Sequence, residues 1–234
     1  MSKPKGNTML RLSLIIALSG GLLSACVSTA KMAQPANVTA VAVHNVTGAN
    51  PLAWHKPLAF GRWHTVDTTD YGRVDGGIGL GKAVLGGTFH ARALVTNDNI
   101  TAKCSGWLLN IGRNDLTFDP TIGNMPLMSC SFSGAAIGEF SIKENHKNQL
   151  IGQFSTASGN YLVKSEHQIR GSAWPSATPL GFTVYRHETP LWSVDKLNAG
   201  IVTEWLSLPA EQQNLLAALS LVLLVTDFEN LQWD

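Results

Sequence analysis

The chain of 234 residues is poor in charge, in cysteine and in long hydrophobic runs. Charged residues make up 14% of it, and 17 basic against 16 acidic residues give a formal charge of +1. Nucleic-acid binding depends on clustered lysine and arginine, so the sequence predicts no nucleic-acid partner. The two apolar runs, 12–23 and 215–225, are both shorter than the roughly 20 residues that a membrane-spanning helix needs.

Sequence motifs of catalysis are also lacking, with no His-Glu-x-x-His, Gly-x-Ser-x-Gly or Cys-x-x-Cys pattern. A group of His64, Asp67 and Asp70 would suit a metal, but polar surface residues beside a turn explain it equally well. Residues 76–83 nearly match a phosphate-binding loop, yet Ala83 stands where a hydroxyl should bind Mg²⁺. We interpret that segment as a glycine-rich hairpin or connector, and we predict no catalytic residue, no metal site and no cofactor.

The first 25 residues have the organisation of an export signal. Lys3, Lys5 and Arg11 form a basic region without acidic residues, and the apolar run and small residues follow. That order is typical of a secretory signal peptide. We predict that residues 1–25 are removed. Removal takes three of the 17 basic residues and none of the 16 acidic ones, leaving a formal charge of −2.

The end of this signal, Leu23-Ser24-Ala25-Cys26, resembles the lipobox of bacterial lipoproteins. In that family the cysteine is acylated on its thiol and, after cleavage, on its amine. The resemblance implies that Cys26 anchors the protein in membrane lipid. Two or more acyl chains keep a protein stably bound to a bilayer. An ordinary cleaved signal or an uncleaved anchor is the alternative. Val27 replaces the aspartate that favours inner-membrane retention in Gram-negative members, which favours the outer membrane, facing the periplasm.

Assigning Cys26 to lipid leaves an even pair among the three cysteines, Cys104 and Cys130. An exported protein enters an oxidising compartment, so we predict a disulfide between them. Two separate buried thiols are the alternative.

The remaining chain predicts a short lipidated tether, 26–36, and one β-rich domain, 37–234. Short runs with strand-like alternation recur between turn signals. About twelve strands at this spacing predict a mainly β, antiparallel barrel, with a β-sandwich as the alternative. The predicted strands are 38–46, 58–66, 88–96, 100–111, 127–132, 138–143, 150–154, 161–164, 168–173, 181–186, 192–197 and 201–206.

A C-terminal helix is predicted at about 209–228. Pro209 and Glu211 suit a first helical turn. The run 215–225 is apolar on every side, which is typical of a helix surrounded by protein or membrane. It is too short to span a bilayer, so we predict a helix enclosed by the barrel or packed on the sandwich.

A many-stranded sheet followed by one wholly apolar helix resembles the tubby-like and phospholipid-scramblase-like superfamily. The resemblance lies in residues 160–226, with paired strands 181–186 and 191–196, a strand at 201–206 and then the helix. It implies a twelve-stranded barrel closed around a central C-terminal helix. The chain has neither an acidic calcium-binding segment nor a basic phosphoinositide pocket, so no functional residue is carried over.

These features predict a membrane-anchored envelope lipoprotein that acts as a non-enzymatic binding or envelope-maintenance module. Its expected partners are membrane lipid, through acylated Cys26, and an envelope protein, lipid or cell-wall ligand. The alternative is a periplasmic hydrolase whose site is assembled from residues distant in sequence. A deep pocket with two or more converging histidine or carboxylate side chains would favour the hydrolase.

Overall fold

In a computed structural model of the protein, the described residues are 29–48, 57–80, 83–112, 126–145, 149–228 and 232–233. The chain divides into two compact units, Met1–Ala30 and Lys31–Asp234. The predicted signal peptide and Cys26 fall outside the described residues, so the fold presented below is that of the second unit.

One antiparallel sheet of twelve strands dominates this unit, as the sequence predicts. From β2 to β12 each strand pairs with the next along the chain, and β1 pairs with β12. The strands are β1 (Ala42–Asn45), β2 (Ala59–Phe60), β3 (Trp63–Leu80), β4 (Ala83–Thr96), β5 (Ile100–Gly112), β6 (Met128–Gly134), β7 (Gly138–Glu144), β8 (Leu150–Thr156), β9 (Gly159–Glu166), β10 (Gly181–Arg186), β11 (Thr189–Asp195) and β12 (Ile201–Glu204).

The two edge strands of this sheet, β1 and β2, are brought together by Thr47 and Ala59. The Thr47 N–H donates to the Ala59 carbonyl at 2.8 Å, and the Ala59 N–H donates back at 2.9 Å. Gly48 turns the chain here with φ of +87°, and a Cβ on it would lie 2.4 Å from the Pro57 carbonyl oxygen. Only glycine fits such a turn. The sheet is thus a nearly closed barrel and not a sandwich.

The predicted C-terminal helix, α1 (Ala210–Val225), forms the centre of the core. Its nine consecutive residues from Leu215 to Leu223 are all buried. Burial on every side of a helix requires protein all around it, which the barrel supplies. The helix residues share one buried cluster with side chains from the strands, and the largest of those are Phe60, Phe132, Phe140, Phe154, Phe182 and Trp192. Within the described residues, no helix has the length and hydrophobicity needed to cross a membrane.

Alternating strand direction gives the barrel two ends, and α1 runs from one to the other. Near its start, Asn214 accepts a hydrogen bond from Trp63, the first residue of β3, at 2.9 Å. At its C-terminal end, the Thr226 hydroxyl lies 3.9 Å from the sulfur of Met128, the first residue of β6. We call the end where α1 begins the lower end. The upper end is the one where β3, β5, β7, β9 and β11 finish.

A short pair, β13 (Thr226–Asp227) and β14 (Gln232–Trp233), follows α1.

Candidate functional site

The predicted cysteine pair lies within the barrel wall. Cys104 on β5 and Cys130 on β6 are direct register partners, and their sulfur atoms are 2.11 Å apart. Both residues are buried, 5% and 2% exposed, among the apolar side chains of the core. Burial of this kind suits a structural brace between neighbouring strands better than a reactive thiol pair.

Removing this bridge by Cys104→Ala and Cys130→Ala should lower the free energy of unfolding. The bridged residues are 26 apart in sequence. Closing a loop of that length is worth about 3.5 kcal/mol on the chain-entropy model. Urea unfolding of oxidised wild type against the double variant measures the loss, with reduced wild type as the control. Identical midpoints for all three proteins would contradict a structural bridge.

The predicted tether is docked on the domain at Met32. The Met32 N–H donates to Asp195 Oδ2 at 2.8 Å, and the residue is 3% exposed. Gly181 makes the contact possible, because a Cβ there would lie 2.6 Å from the Met32 sulfur. The chain is therefore fixed at the upper end of the barrel, where β11 finishes at Asp195.

The loop between β9 and β10 holds the other side of this segment. The Ala33 N–H donates to the Gln168 carbonyl at 2.7 Å, and the Arg170 N–H donates to the Lys31 carbonyl at 2.8 Å. Residues 168–173, predicted as a strand, are therefore a loop whose backbone pairs with the N-terminal segment. Together the loop and β11 form a clamp around residues 31–33, which we call the N-terminal clamp.

A pocket of about 230 Å³ lies beside the N-terminal clamp. Its lining residues are Lys31, Met32, Gln34, Val43, Arg170, Ser193, Asp195, Ile201 and Thr203. The Asp195 carboxylate is already engaged, because Oδ1 accepts the Leu197 N–H at 2.8 Å and Oδ2 accepts that of Met32. The pocket is also smaller than the roughly 300 Å³ at which small-molecule sites begin. The N-terminal segment itself forms part of the pocket wall, through Lys31, Met32 and Gln34.

A second polar group lies beside the seam between β1 and β2. His44 Nε2 lies 2.7 Å from Glu204 Oε1, and Glu204 is 6% exposed. The His44 ring also meets the Trp63 ring edge-on, with centroids 5.8 Å apart. A buried carboxylate needs such a hydrogen-bond partner, and the pair links β1 to β12. Neither His44 nor Glu204 lines the pocket beside the N-terminal clamp.

Asn214 connects the start of α1 to the lower end of the barrel. Its side-chain oxygen accepts hydrogen bonds from Trp63 Nε1 and Arg62 Nη2, both at 2.9 Å. The Arg62 guanidinium also lies 4.9 Å from the centre of the Trp63 ring, within cation–π range. These contacts fix the entry of the helix into the barrel.

The pKa of Tyr185 is clearly perturbed. Burial, and next the charge and hydrogen bond of Glu166, raise the pKa of Tyr185 from 10.0 to about 12. The hydroxyl donates to Glu166 Oε1 at 3.2 Å. The phenol therefore stays protonated at ordinary pH and acts as a donor between β10 and β9.

The structure also places the segments considered for metal and phosphate binding. Within the described ranges no three His, Cys, Asp or Glu side chains are grouped as a metal requires. Gly76–Leu80 end β3 and Ala83 begins β4, while residues 81 and 82 fall outside the description. This antiparallel hairpin differs from the strand–loop–helix of a phosphate-binding loop.

Several important residues were missed by sequence reasoning. Glu204 had a usable signal, since alternation along β12 places it on the same face as buried Val202. His44 is the register partner of Val202 and so joins Glu204 on that face. Asp195 and Met32 carried no local signal, because 163 residues separate them and only the fold brings them together.

Comparison with protein-family models, curated proteins and solved structures gave no match for this chain. The fold defines its class: a nearly closed, twelve-stranded antiparallel barrel around a buried C-terminal helix. The lipobox and the tubby-like resemblance stay predictions.

Proposed function

We propose that the protein is a lipoprotein of the bacterial cell envelope, anchored by acyl chains on Cys26. The sequence Leu23-Ser24-Ala25-Cys26, directly after an apolar run, is the observation that carries the proposal. The N-terminal clamp supports it, because Lys31 is fixed to the barrel only five residues after Cys26. Five extended residues span at most about 18 Å. An anchor at Cys26 therefore holds the upper end of the barrel close to the membrane surface.

The barrel acts as a non-enzymatic binding or envelope-maintenance module in this proposal. Its interior is occupied by α1, which leaves the outer surface and the two ends for partners. The engaged carboxylate of Asp195 and the small pocket give little support to the hydrolase alternative. Exposed hydrophobic side chains at the lower end, away from the anchor, would suit an envelope protein, lipid or cell-wall ligand. They are Val41, Val66, Ile137 and Leu206.

The proposed location is the outer membrane, with the barrel in the periplasm. Val27, in the position where aspartate favours inner-membrane retention, supports this choice. The buried Cys104–Cys130 bridge suits an oxidising compartment.

Metabolic labelling with a clickable palmitate tests the anchor. Wild type should take up the label, whereas Cys26→Ser should remain unlabelled and unprocessed, because acylation precedes cleavage in lipoproteins. The matched control is Cys104→Ala with Cys130→Ala, which should keep the label. Density fractionation should find the labelled protein with outer-membrane markers. Equal labelling of wild type and Cys26→Ser would contradict the proposal.

A further inference from the structure

The loop between β9 and β10, residues 167–180, carries the most exposed large hydrophobic side chain among the described residues. That side chain is Trp174, at 81% exposure, and its neighbours Ala173 and Pro175 are exposed as well. We call residues 173–175 the tryptophan tip. A single exposed hydrophobic side chain is ordinary on a protein surface. What Trp174 can bind therefore depends on how the loop holds it and on what lies beside it.

Hydrogen bonds within the loop fix the backbone of the tryptophan tip. The Ser172 hydroxyl accepts the Trp174 N–H and donates to the Trp174 carbonyl, both at 3.1 Å. At the base of the loop, the Ser176 N–H donates to the His167 carbonyl at 2.7 Å, and His167 Nδ1 lies 3.1 Å from the Ser176 carbonyl oxygen. The loop backbone is thus held on both sides of an exposed indole ring.

Positive charge lies beside the tryptophan tip. Lys31 and Arg170 are both exposed, and the Arg170 N–H donates to the Lys31 carbonyl at 2.8 Å. Residues 167–180 contain no acidic residue. The carboxylates of the neighbouring strand ends, Glu166 on β9 and Asp195 on β11, are engaged as hydrogen-bond acceptors. Basic side chains attract anionic headgroups, and tryptophan is enriched at membrane–water interfaces, so this combination suits a bilayer surface.

The N-terminal clamp brings the proposed lipid anchor to the same end of the barrel as the tryptophan tip. Lys31 is paired with Arg170 in this loop and follows Cys26 by five residues, which span at most about 18 Å. Trp174 follows Arg170 by four residues, which span at most about 14 Å. A membrane that holds acyl chains on Cys26 is therefore within reach of the tip. Ile137, 69% exposed between β6 and β7, lies at the lower end.

We propose that the tryptophan tip inserts into the headgroup layer of the membrane in which Cys26 is anchored. The inference rests on the proposed lipidation of Cys26, which brings this end of the barrel to the lipid surface. The indole ring then lies with its apolar part toward the acyl chains and its N–H toward the headgroup oxygens. The tip goes no deeper, because the loop backbone needs water for its polar groups. Acyl chains alone fix where the chain is attached, and this second contact fixes how the barrel is turned.

A thiol-attached nitrobenzoxadiazole probe measures this contact in the acylated protein. Cys26 is then acylated and Cys104 is bridged to Cys130, so an introduced cysteine is the free thiol. Ala173→Cys places the probe on the tryptophan tip, and Ile137→Cys places it at the lower end. The proteins are reconstituted into phosphatidylethanolamine–phosphatidylglycerol vesicles that contain lipid with a nitroxide on its headgroup.

Simple proximity to the membrane is separated from insertion by a second substitution in the Ala173→Cys protein. Trp174→Ala removes the indole ring from the tip. Leu206→Ala is the matched control, since it removes an exposed hydrophobic side chain at the lower end.

We expect several-fold stronger quenching of the probe at position 173 than at 137, and we expect Trp174→Ala but not Leu206→Ala to remove most of that difference. Quenching at 173 that Trp174→Ala leaves unchanged on vesicle-bound protein would overturn the inference. So would a probe response that grows with protein concentration without vesicles, because the tip would then contact a second copy of the chain. Vesicle flotation reports the anchor separately. If the chain does not float, the mature chain with Cys26→Ser and an N-terminal histidine tag is held on nickel-chelating lipid, and the same comparison decides.

Discussion

Truncation of the chain after Leu208 is expected to abolish folding. It removes α1 with six large apolar side chains that are at most 2% exposed, Leu215, Leu216, Leu219, Leu221, Val222 and Leu223. At 1.5–3 kcal/mol for each, their burial contributes about 9–18 kcal/mol. The whole stability of a domain is about 5–15 kcal/mol. The truncated barrel would also expose the inner faces of its strands, so we expect aggregation or rapid proteolysis.

A pair of point substitutions tests whether α1 forms the core of the barrel without removing any residues. Leu219→Asp places an unpaired charge at a fully buried position of α1 and should prevent cooperative unfolding from being observed. Ala210→Asp adds the same group at the exposed start of the helix, where the helix dipole favours it. Circular dichroism and thermal melting compare both with wild type. A soluble truncated protein with an unchanged melting midpoint would place α1 outside the core and contradict the barrel.

Trp192→Ala should cause the second largest loss of stability. Trp192 is fully buried, and its Nε1 donates to the Ser220 hydroxyl on α1 at 2.8 Å. Its ring also meets that of Trp63 edge-on at 5.8 Å. Truncating a buried tryptophan costs about 3–5 kcal/mol. Trp174→Ala is the matched control, and at 81% exposure it should change the free energy of unfolding by no more than about 0.5 kcal/mol.

Urea unfolding followed by circular dichroism measures both tryptophan variants. Trp192→Phe separates the two contributions, because it keeps most of the packing and loses the hydrogen bond to Ser220. We expect it to fall between wild type and Trp192→Ala. Equal losses for Trp192→Ala and Trp174→Ala would mean that Trp192 does not join the barrel to the helix.

Local pattern was sufficient to predict the helix and most strands. The run from Leu215 to Val225 has no polar side apart from Ser220, and Ser220 satisfies its hydroxyl within the helix by donating to the Leu216 carbonyl at 2.7 Å. Residues 181–186 were predicted with the bounds observed for β10. These segments are recognisable because burial on one or all sides leaves a periodic signature in the sequence.

The segments that were predicted wrongly are those whose structure depends on pairing with distant parts of the chain. Residues 168–173 have strand-like composition, yet their backbone partners are in the N-terminal segment, as between Arg170 and Lys31. The predicted strand 58–66 contains the turn at Gly61 that separates β2 from β3. β3 then continues through the glycines at 76, 77 and 79, which have low strand propensity, because β4 pairs with them. The N-terminal clamp had no local signal at all.

Mass spectrometry of the N-terminal peptide of protein isolated from the bacterial envelope tests the lipid anchor most directly. We predict a mature chain that starts at Cys26, lacks residues 1–25 and carries acyl chains on both the thiol and the amine of Cys26. After mild alkaline hydrolysis the chains carried on the thiol side should be lost while the amide-linked chain remains. A peptide that spans residues 25 and 26 uncleaved, or an unmodified N-terminus at any other residue, would contradict the anchor.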